Sequence, residues 1–157
     1  MGERHGGKGM KVFWGMMLTV MLGAAPGWAA LGEPESSVGA DGQILQSQVR
    51  EEVHPGYRLH QLTDASGTVV REYVSPAGKV FGVSWQGPFV PNMQQLLGSY
   101  FTYLRQYAQA QTGHHGGPLI IQQDNFVFLS GGHMRGYRGR AYVPSLLPTH
   151  LTPEVVQ

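Results

Sequence analysis

Three strand-like runs separated by two four-residue turns occupy residues 57–85, and they constrain the fold more than any other part of the sequence. The runs read YRLHQLT, TVVREYV and KVFGVSW, and the linkers between them read DASG and SPAG. Asp64 and Ser75 stand at the first turn position, where a side-chain oxygen can cap backbone amides. Gly67 and Gly78 close the turns at the fourth position. The pattern predicts a three-stranded antiparallel meander.

A helix is predicted directly after the meander. Glycine and proline in QGPFVPN end the third strand, because proline lacks the amide that a strand ladder needs. Asn92 is a good N-cap, and Gln95 can complete a capping box. One amphipathic helix ending near Gln111 is expected, because apolar residues then recur at helical spacing. These residues are Met93, Leu96, Leu97, Tyr100, Leu104 and Tyr107.

More strands follow the helix. Residues 119–122 predict a short strand and residues 126–130 a firmer one, and a Gly131-Gly132 turn then leads into a strand over residues 135–143. The expected fold class is α+β, with an antiparallel sheet of about five strands packed on one main amphipathic helix. Its order is a three-stranded meander, then the helix, then a C-terminal hairpin.

The flanking regions divide the chain further. Residues 30–56 form an N-terminal segment in which residues 33–48 predict a short helix, although Gly39 and Gly42 oppose it. Residues 57–143 form the α+β core domain. Residues 144–157 are rich in proline and predict an extended tail across the surface.

The first 29 residues have the organisation of a secretory signal peptide. Arg4, Lys8 and Lys11 precede an apolar run over residues 12–25 that is shorter than the ~20 residues needed to cross a bilayer. Small residues follow, and cleavage is expected after Ala29, with Ala30 as the alternative position. The sequence therefore predicts an exported protein, periplasmic or extracellular, with no transmembrane segment in the mature chain.

Charge and cysteine content narrow the function further. The whole chain has a formal net charge of +1, and loss of the basic leader brings it to about −1, so binding to nucleic acid is not expected. The chain has no cysteine. Disulfides, a thiol nucleophile and thiolate metal ligands are therefore excluded, and stability must come from packing.

Three sequence blocks resemble a family of small exported proteobacterial proteins of unknown function, DUF2844. The blocks are VREYVSP-G-VF-V-W-GP over residues 70–88, LLGSYF over residues 96–101 and GGHMRGYRGRAYVP over residues 131–144. The resemblance extends from about Ala30 to the last residue. It implies an exported small domain, and it supplies no catalytic residues.

The arginine-rich stretch HMRGYRGRAY contains the candidate ligand-binding residues. Strand alternation places Arg138, Arg140 and Tyr142 on one face and Arg135 on the other. Neighbouring guanidinium groups can grip a carboxylate, a phosphate or an acidic sugar through paired hydrogen bonds. The alternative, which we favour from sequence, is that these arginines form structural ion pairs with carboxylates. Glu72 and Asp124 are the named candidates for that pairing.

Histidines offer weak candidates for metal binding. His114 and His115 lie together in a glycine-rich loop, and His133 or His150 could supply a third ligand, but no metal-binding spacing is present. No metal and no cofactor are therefore predicted.

Catalytic motifs are also missing from the sequence. No GxSxG or SxxK motif occurs, and Ser99 is better explained as a packing residue. His60 with Asp64 is a conceivable base pair, for which solvent exposure is the simpler interpretation. A hydrolase would need a cleft that brings together a few titratable residues. These are His60, His133, Glu72 and Asp124.

Aromatic residues are numerous enough to fill a core or to line an apolar groove. They are Tyr73, Phe81, Trp85, Phe89, Tyr100, Phe101, Tyr103 and Tyr107. Phe101 and Tyr103 lie off the main helical stripe, where a partner or a ligand could cover them. The sequence favours a non-catalytic binding or structural component of the cell envelope, with an unknown envelope protein or an anionic glycan as partner. The alternatives are an anionic glycan or lipid-headgroup site on the arginine strand, and an uncharacterised envelope hydrolase.

Overall fold

The computed structural model describes residues 1–2, 31–39, 48–110, 117–123 and 125–157. They form one antiparallel sheet of seven strands in the order β1-β2-β3-β4-β7-β6-β5. The strands are β1 (Gln48–His54), β2 (Tyr57–Thr63), β3 (Val69–Val74), β4 (Val80–Gly87), β5 (Leu119–Gln123), β6 (Phe126–His133) and β7 (Gly136–Tyr142). The α+β class is confirmed, and the expectation of about five strands is an undercount.

The predicted meander is present as β2, β3 and β4. Gly67 donates its amide to the Asp64 carbonyl over 3.1 Å, and Gly78 donates to the Ser75 carbonyl over 2.8 Å. The Asp64 side chain accepts the amides of Ser66 and Thr68 at 2.8 and 2.9 Å. Side-chain capping at the first turn position therefore fixes the β2–β3 turn as the sequence predicted.

Strand β1 is absent from the sequence prediction, which assigns residues 30–56 to an N-terminal segment whose only predicted element is a short helix over residues 33–48. Gln48 instead opens β1, which pairs with β2 over its whole length, and residues 40–47 lie outside the described residues. The turn between the two strands is Pro55-Gly56, and Gly56 has a φ of 89°. A proline followed by a glycine with positive φ is typical of a type II turn, so the sequence did contain the signal for this hairpin.

The C-terminal hairpin is a second meander, made of β5, β6 and β7. The turn predicted at Gly131-Gly132 is wrong, because β6 continues through both glycines to His133. The chain reverses at Met134 and Arg135 instead, and Arg135 has a φ of 65°. The two meanders meet where β4 pairs with β7, and we call this pairing the seam.

The predicted helical region is confirmed, with an interruption. It consists of α1 (Met93–Leu97), a 3-10 turn (Gly98–Tyr100) and α2 (Phe101–Ala110). The Asn92 side chain accepts the amide of Gln95 over 3.2 Å, as the capping pattern predicted. Gly98 has a φ of 52° and ends the first segment. No helix in the described part of the chain is long and apolar enough to span a membrane.

One face of the sheet, here called the helix face, packs against the helical region and residues 31–38. Leu96 and Leu97 are fully buried there, and Phe101, Leu104 and Tyr107 pack against the same cluster. The sheet contributes a buried apolar set to this main core. It comprises Leu62, Val70, Val74, Val83, Trp85, Ile121, Phe126, Phe128 and Ala141.

The opposite face, here called the tail face, is covered in part by residues 144–157. We call these residues the tail segment. They were expected to lie extended across the surface, but they contain two 3-10 turns, Pro144–Leu146 and Pro153–Val155. Val156 is fully buried in a second core cluster with Tyr73 and Phe81. The tail segment is therefore part of the packed domain.

The predicted signal peptide lies almost entirely outside the described residues, which resume at Leu31. From that point the chain is tied to the sheet. The amide of Gly32 donates to the Val80 carbonyl over 2.8 Å, and the amide of Val80 donates to the Glu33 carbonyl over 3.0 Å. A 3-10 turn (Glu35–Ser37) follows, and residues 38 and 39 are helical, within the stretch for which a short helix is predicted.

Candidate functional site

The tail segment leaves one half of the tail face uncovered, and a cavity of about 580 Å³ lies there. Gln157 is at the boundary between the two halves, because its carbonyl accepts hydrogen bonds from Tyr73 at 2.6 Å and Ser84 at 2.9 Å. Residues from both meanders line the cavity. They include Arg71, Trp85, Gln86, Pro118, Ile120, Leu129, Gly131, Arg138 and Arg140.

The sheet register brings three arginines to this cavity. Arg138 and Arg140 are two positions apart on β7 and therefore share a face, as the sequence predicted. Arg140 pairs with Ser84 of β4, and Ser84 pairs with Arg71 of β3. Arg71 thus lies in the same row, two strands away, and we call the site the arginine cavity. Sequence reasoning missed Arg71, since the β4–β7 pairing that places it there is not visible in the sequence.

The three arginines differ in what holds them. Arg140 donates from its Nη1 to the carbonyls of Val156 at 3.1 Å and Pro153 at 3.4 Å, so the tail segment orients its guanidinium group. Arg71 and Arg138 make no salt bridge and no side-chain hydrogen bond with any described residue. The cavity therefore holds three positive groups, of which one is fixed by backbone carbonyls.

The ion pairs that we favoured from sequence are not formed with Glu72. Glu72 belongs to the helix face and is buried there, on the other side of the sheet from Arg138 and Arg140. Asp124 lies outside the described residues. The carboxylate of Glu154 interacts with Arg140 from a distance. A hydrogen bond from Thr152 lowers the pKa of Glu154 most, and Arg140 adds a smaller effect in the same direction.

The side of the cavity towards β5 and β6 is apolar. Leu129 and Pro118 line it, together with Ile120, whose relative exposure is 51%. Gly131 lies beside Arg138 in the register, and because it has no side chain the cavity stays open between the apolar side and the arginines. The site can therefore accept a molecule with one charged end and one apolar end.

Two of the predicted ligand-binding residues lie outside the cavity. Tyr142 is on the same face as Arg140, as alternation predicted, but it packs in the second core cluster under the tail segment. Arg135 lies in the exposed β6–β7 turn and does not line the cavity. A smaller hollow of about 270 Å³ near that turn shares Gln86 and Arg138 with the arginine cavity.

A cluster of titratable residues lies at the β1 side of the helix face, and no motif in the sequence indicates it. Arg58 donates to both carboxylate oxygens of Glu35, over 2.6 Å from its Nε. The Nε2 of His60 lies 3.0 Å from the Glu35 carboxylate. The hydrogen bond from Arg58 is the main cause that lowers the pKa of Glu35, and His60 contributes to the same shift.

This cluster has part of the geometry of a metal site. One possible ligand atom from each of Glu35, Glu51 and His60 lies within 4.8 Å of the others. Arg58, however, already neutralises the Glu35 carboxylate through two hydrogen bonds. A divalent cation would have to displace this guanidinium group, so the cluster fits a structural ion pair better than a metal centre.

The histidines named as metal candidates do not come together. His114 and His115 lie outside the described residues. His133 is at the β6–β7 turn, whereas His150 lies over Gly56 at the β1–β2 turn, at the opposite end of the sheet.

The residues considered for a hydrolase are also dispersed. His60 is buried against Glu35, which corrects the expectation of solvent exposure, and the Asp64 carboxylate caps its own turn. His60 and Glu72 are cross-strand neighbours. His133 lies five residues beyond the row they share, or about 16 Å along the strand direction. Ser99 is exposed, so its predicted packing role is wrong.

Most of the aromatic residues fill the two cores. Trp85 and Phe128 pack with ring centroids 5.5 Å apart on the helix face, and Tyr73 and Phe81 pack 6.1 Å apart on the tail face. Phe101 packs against the main core, and Tyr103 stacks on Phe126 at 5.5 Å.

Comparison with known proteins gives one match. The model of a protein family described as "Protein of unknown function (DUF2844)" matches residues 27–156. No curated protein and no solved structure matches the chain.

Proposed function

The chain belongs to the DUF2844 family of proteins of unknown function, and we propose that it is an exported, non-catalytic domain that binds a small anionic ligand in the arginine cavity. Export rests on the leader predicted for residues 1–29. Binding rests on one observation, which is that Arg71, Arg138 and Arg140 line a cavity to which no described aspartate or glutamate side chain contributes.

Electrostatics favour an anion in this cavity. Like charges held close together repel one another, and an anion between them removes that repulsion. Guanidinium groups also match carboxylate and phosphate oxygens with paired hydrogen bonds. The backbone carbonyls that orient Arg140 hold one donor in place before the ligand arrives, which lowers the entropy lost on binding.

The apolar side of the cavity indicates the rest of the ligand. Leu129, Ile120 and Pro118 adjoin the arginines, so a ligand with an anionic head and an apolar body would bury both parts. An anionic lipid or a related amphiphile fits this layout better than an acidic glycan, whose sugar rings carry hydroxyl groups throughout.

The absence of catalysis is part of the proposal. General acid–base chemistry needs a titratable side chain within hydrogen-bond reach of the bound molecule. In the described part of the chain, no histidine, aspartate or glutamate side chain lines the arginine cavity. Gln157 also lines it, and its main-chain oxygen accepts hydrogen bonds from Tyr73 and Ser84. Arginine is charged at all ordinary pH values and serves better as an anion clamp than as a base.

Isothermal titration calorimetry provides a direct test that needs no reporter group in the cavity, since the Trp85 indole packs on Phe128 on the opposite face of the sheet. The full chain is titrated with monododecyl phosphate below its micelle concentration. Dodecyl maltoside serves as the neutral amphiphile and glucuronate as the acidic sugar. We expect saturable binding of the phosphate amphiphile that weakens with salt.

Charge-removal variants decide whether the cavity is responsible. Arg71→Ala combined with Arg138→Ala should weaken binding by at least about tenfold, since each lost charged hydrogen bond contributes ~1.5 to 3 kcal/mol. The matched control, Lys79→Ala with Arg105→Ala, also removes two positive charges but away from the cavity, and it should bind like the parent. Equal affinity of the two double variants, or no binding of any probe at low salt, would reject the proposal.

A further inference from the structure

Strand β1 is one edge of the sheet, and it presents an exposed and ordered segment. Its inner side pairs with β2 throughout, and no described residue pairs with its outer side. Val49 and Val53 are on the helix face with relative exposures of 48% and 79%. Arg50 and Glu52 are on the tail face and form a salt bridge of 3.2 Å with each other. An edge strand with unpaired backbone groups is a template for another strand.

We propose that the outer edge of β1 binds β1 of a second copy of this chain in antiparallel orientation, about a two-fold axis through Glu51. The segment Val-Arg-Glu-Glu-Val, residues 49–53, is self-complementary in this register. Val49 would stand opposite the partner's Val53 on one face, and Arg50 would stand opposite the partner's Glu52 on the other. Each contact occurs twice, as expected for an isologous interface.

Neighbouring registers do not match in this way. An axis through Arg50 would place Arg50 opposite its own copy, and an axis through Glu52 would place two glutamates together and Val53 opposite Glu51. A shift by a single residue would move every side chain to the wrong face. Opposite charges and apolar residues favour direct cross-strand pairs, whereas like charges disfavour them. The register centred on Glu51 has one unfavourable pair, Glu51 with its copy.

The geometry of such a dimer also bears on the arginine cavity. A two-fold axis perpendicular to the sheet keeps both tail faces on the same side, and the cavity extends from β3 across β4, β7 and β6 to β5, away from the β1 edge. Two cavities would therefore face the same way. This consequence rests on the proposed function, but the interface itself does not.

A charge exchange tests the proposal by sedimentation velocity of the full chain without added ligand. Arg50→Glu places like charges opposite each other in two places, as does Glu52→Arg, and each should weaken association by at least about tenfold. The combined variant exchanges the two charges and restores both pairs, so it should associate like the parent. Glu51→Gln removes the unfavourable central pair and should strengthen association.

All of these variants share the rest of the chain, so association through the leader or through the other edge, β5, would not respond to the exchange. Association that is equal in the parent and in both single variants, or a monomer at every concentration in parent and Glu51→Gln alike, would overturn the proposal. Circular dichroism checks that each variant is folded.

Disulfide trapping tests the register separately, because the chain has no cysteine of its own. Glu51→Cys should form a covalent dimer rapidly on mild oxidation, since the axis brings this position opposite its own copy. Arg50→Cys alone and Glu52→Cys alone should not, but a mixture of the two should. Equal trapping of Arg50→Cys and Glu51→Cys would contradict the proposed axis.

Discussion

The two faces of the sheet are built from alternating residues of the same strands, yet they are covered in different ways. On the helix face the helical region and residues 31–38 pack against a continuous buried cluster that includes Trp85 and Phe128. On the tail face the tail segment covers one half around Val156 and leaves the other half to the arginines. The difference teaches that the covering segments, more than strand sequence, decide which part of a sheet becomes core and which part becomes a site.

The largest effect on stability is expected on the helix face. Phe128→Ala removes a ring that is 2% exposed and packs between Trp85 and Phe126. We expect the free energy of unfolding to fall by about 3 to 5 kcal/mol, measured by urea denaturation. Phe89→Ala is the matched control, because Phe89 is 62% exposed and its loss should change stability by less than about 0.5 kcal/mol. A small effect at Phe128 would mean that the helix face is not the main core.

A smaller effect is expected where the tail segment packs. Val156→Ala should lower the free energy of unfolding by about 2 kcal/mol, from two methyl groups and the cavity that they leave. Val156 lies against Gly82, where an added Cβ would come within 2.6 Å of the valine Cγ2. Gly82→Ala should therefore destabilise the parent but cost less in the Val156→Ala background. Additive losses in the double variant would show that the tail segment does not dock at Gly82.

The smallest effect concerns the ion pair that anchors residues 31–38 to the helix face. Arg58 lowers the pKa of Glu35 below its ordinary value of 4.5. The carboxylate thus contributes stability above about pH 4.5, and this contribution is lost as the pH falls through the lower folded-state pKa. We expect the parent to lose more stability than Glu35→Gln between pH 5 and pH 3 in urea titrations. Glu33→Gln, at an exposed neighbouring position, is the matched control for the loss of one carboxylate from this segment.

Local features of the sequence predicted local structure well. The Asp64 and Ser75 turns and the Asn92 cap are formed as expected, because each depends on residues within four positions of one another. Strand β1 was missed although Pro55-Gly56 signals its hairpin. The turn at Gly131-Gly132 was misplaced because a glycine pair also fits inside a strand that adjoins a cavity.

The candidate site was predicted only in part. Alternation correctly placed Arg138 and Arg140 on the same face of β7. Arg71 lies in the same row only because β4 pairs with β7. No short stretch of the sequence indicates that pairing. Tyr142 has the predicted orientation but lies under the tail segment. The sequence does not show that the tail segment covers Tyr142, because contacts with distant residues hold that segment in place. One of them is the hydrogen bond from the Tyr73 hydroxyl to the Gln157 oxygen.

The seam has a consequence for the order of folding. Within each meander every strand pairs with its sequence neighbour, whereas the β4–β7 pairing joins residues such as Gly82 and Tyr142, and closing so long a loop costs more entropy and is slower. We expect the strand pairs within each meander to form early and the hydrogen bonds between β4 and β7 to form last. Since Arg71 belongs to one meander and Arg138 to the other, ligand affinity would appear only with that last step, and bound anion would in turn protect the amides of β4 and β7 from hydrogen exchange.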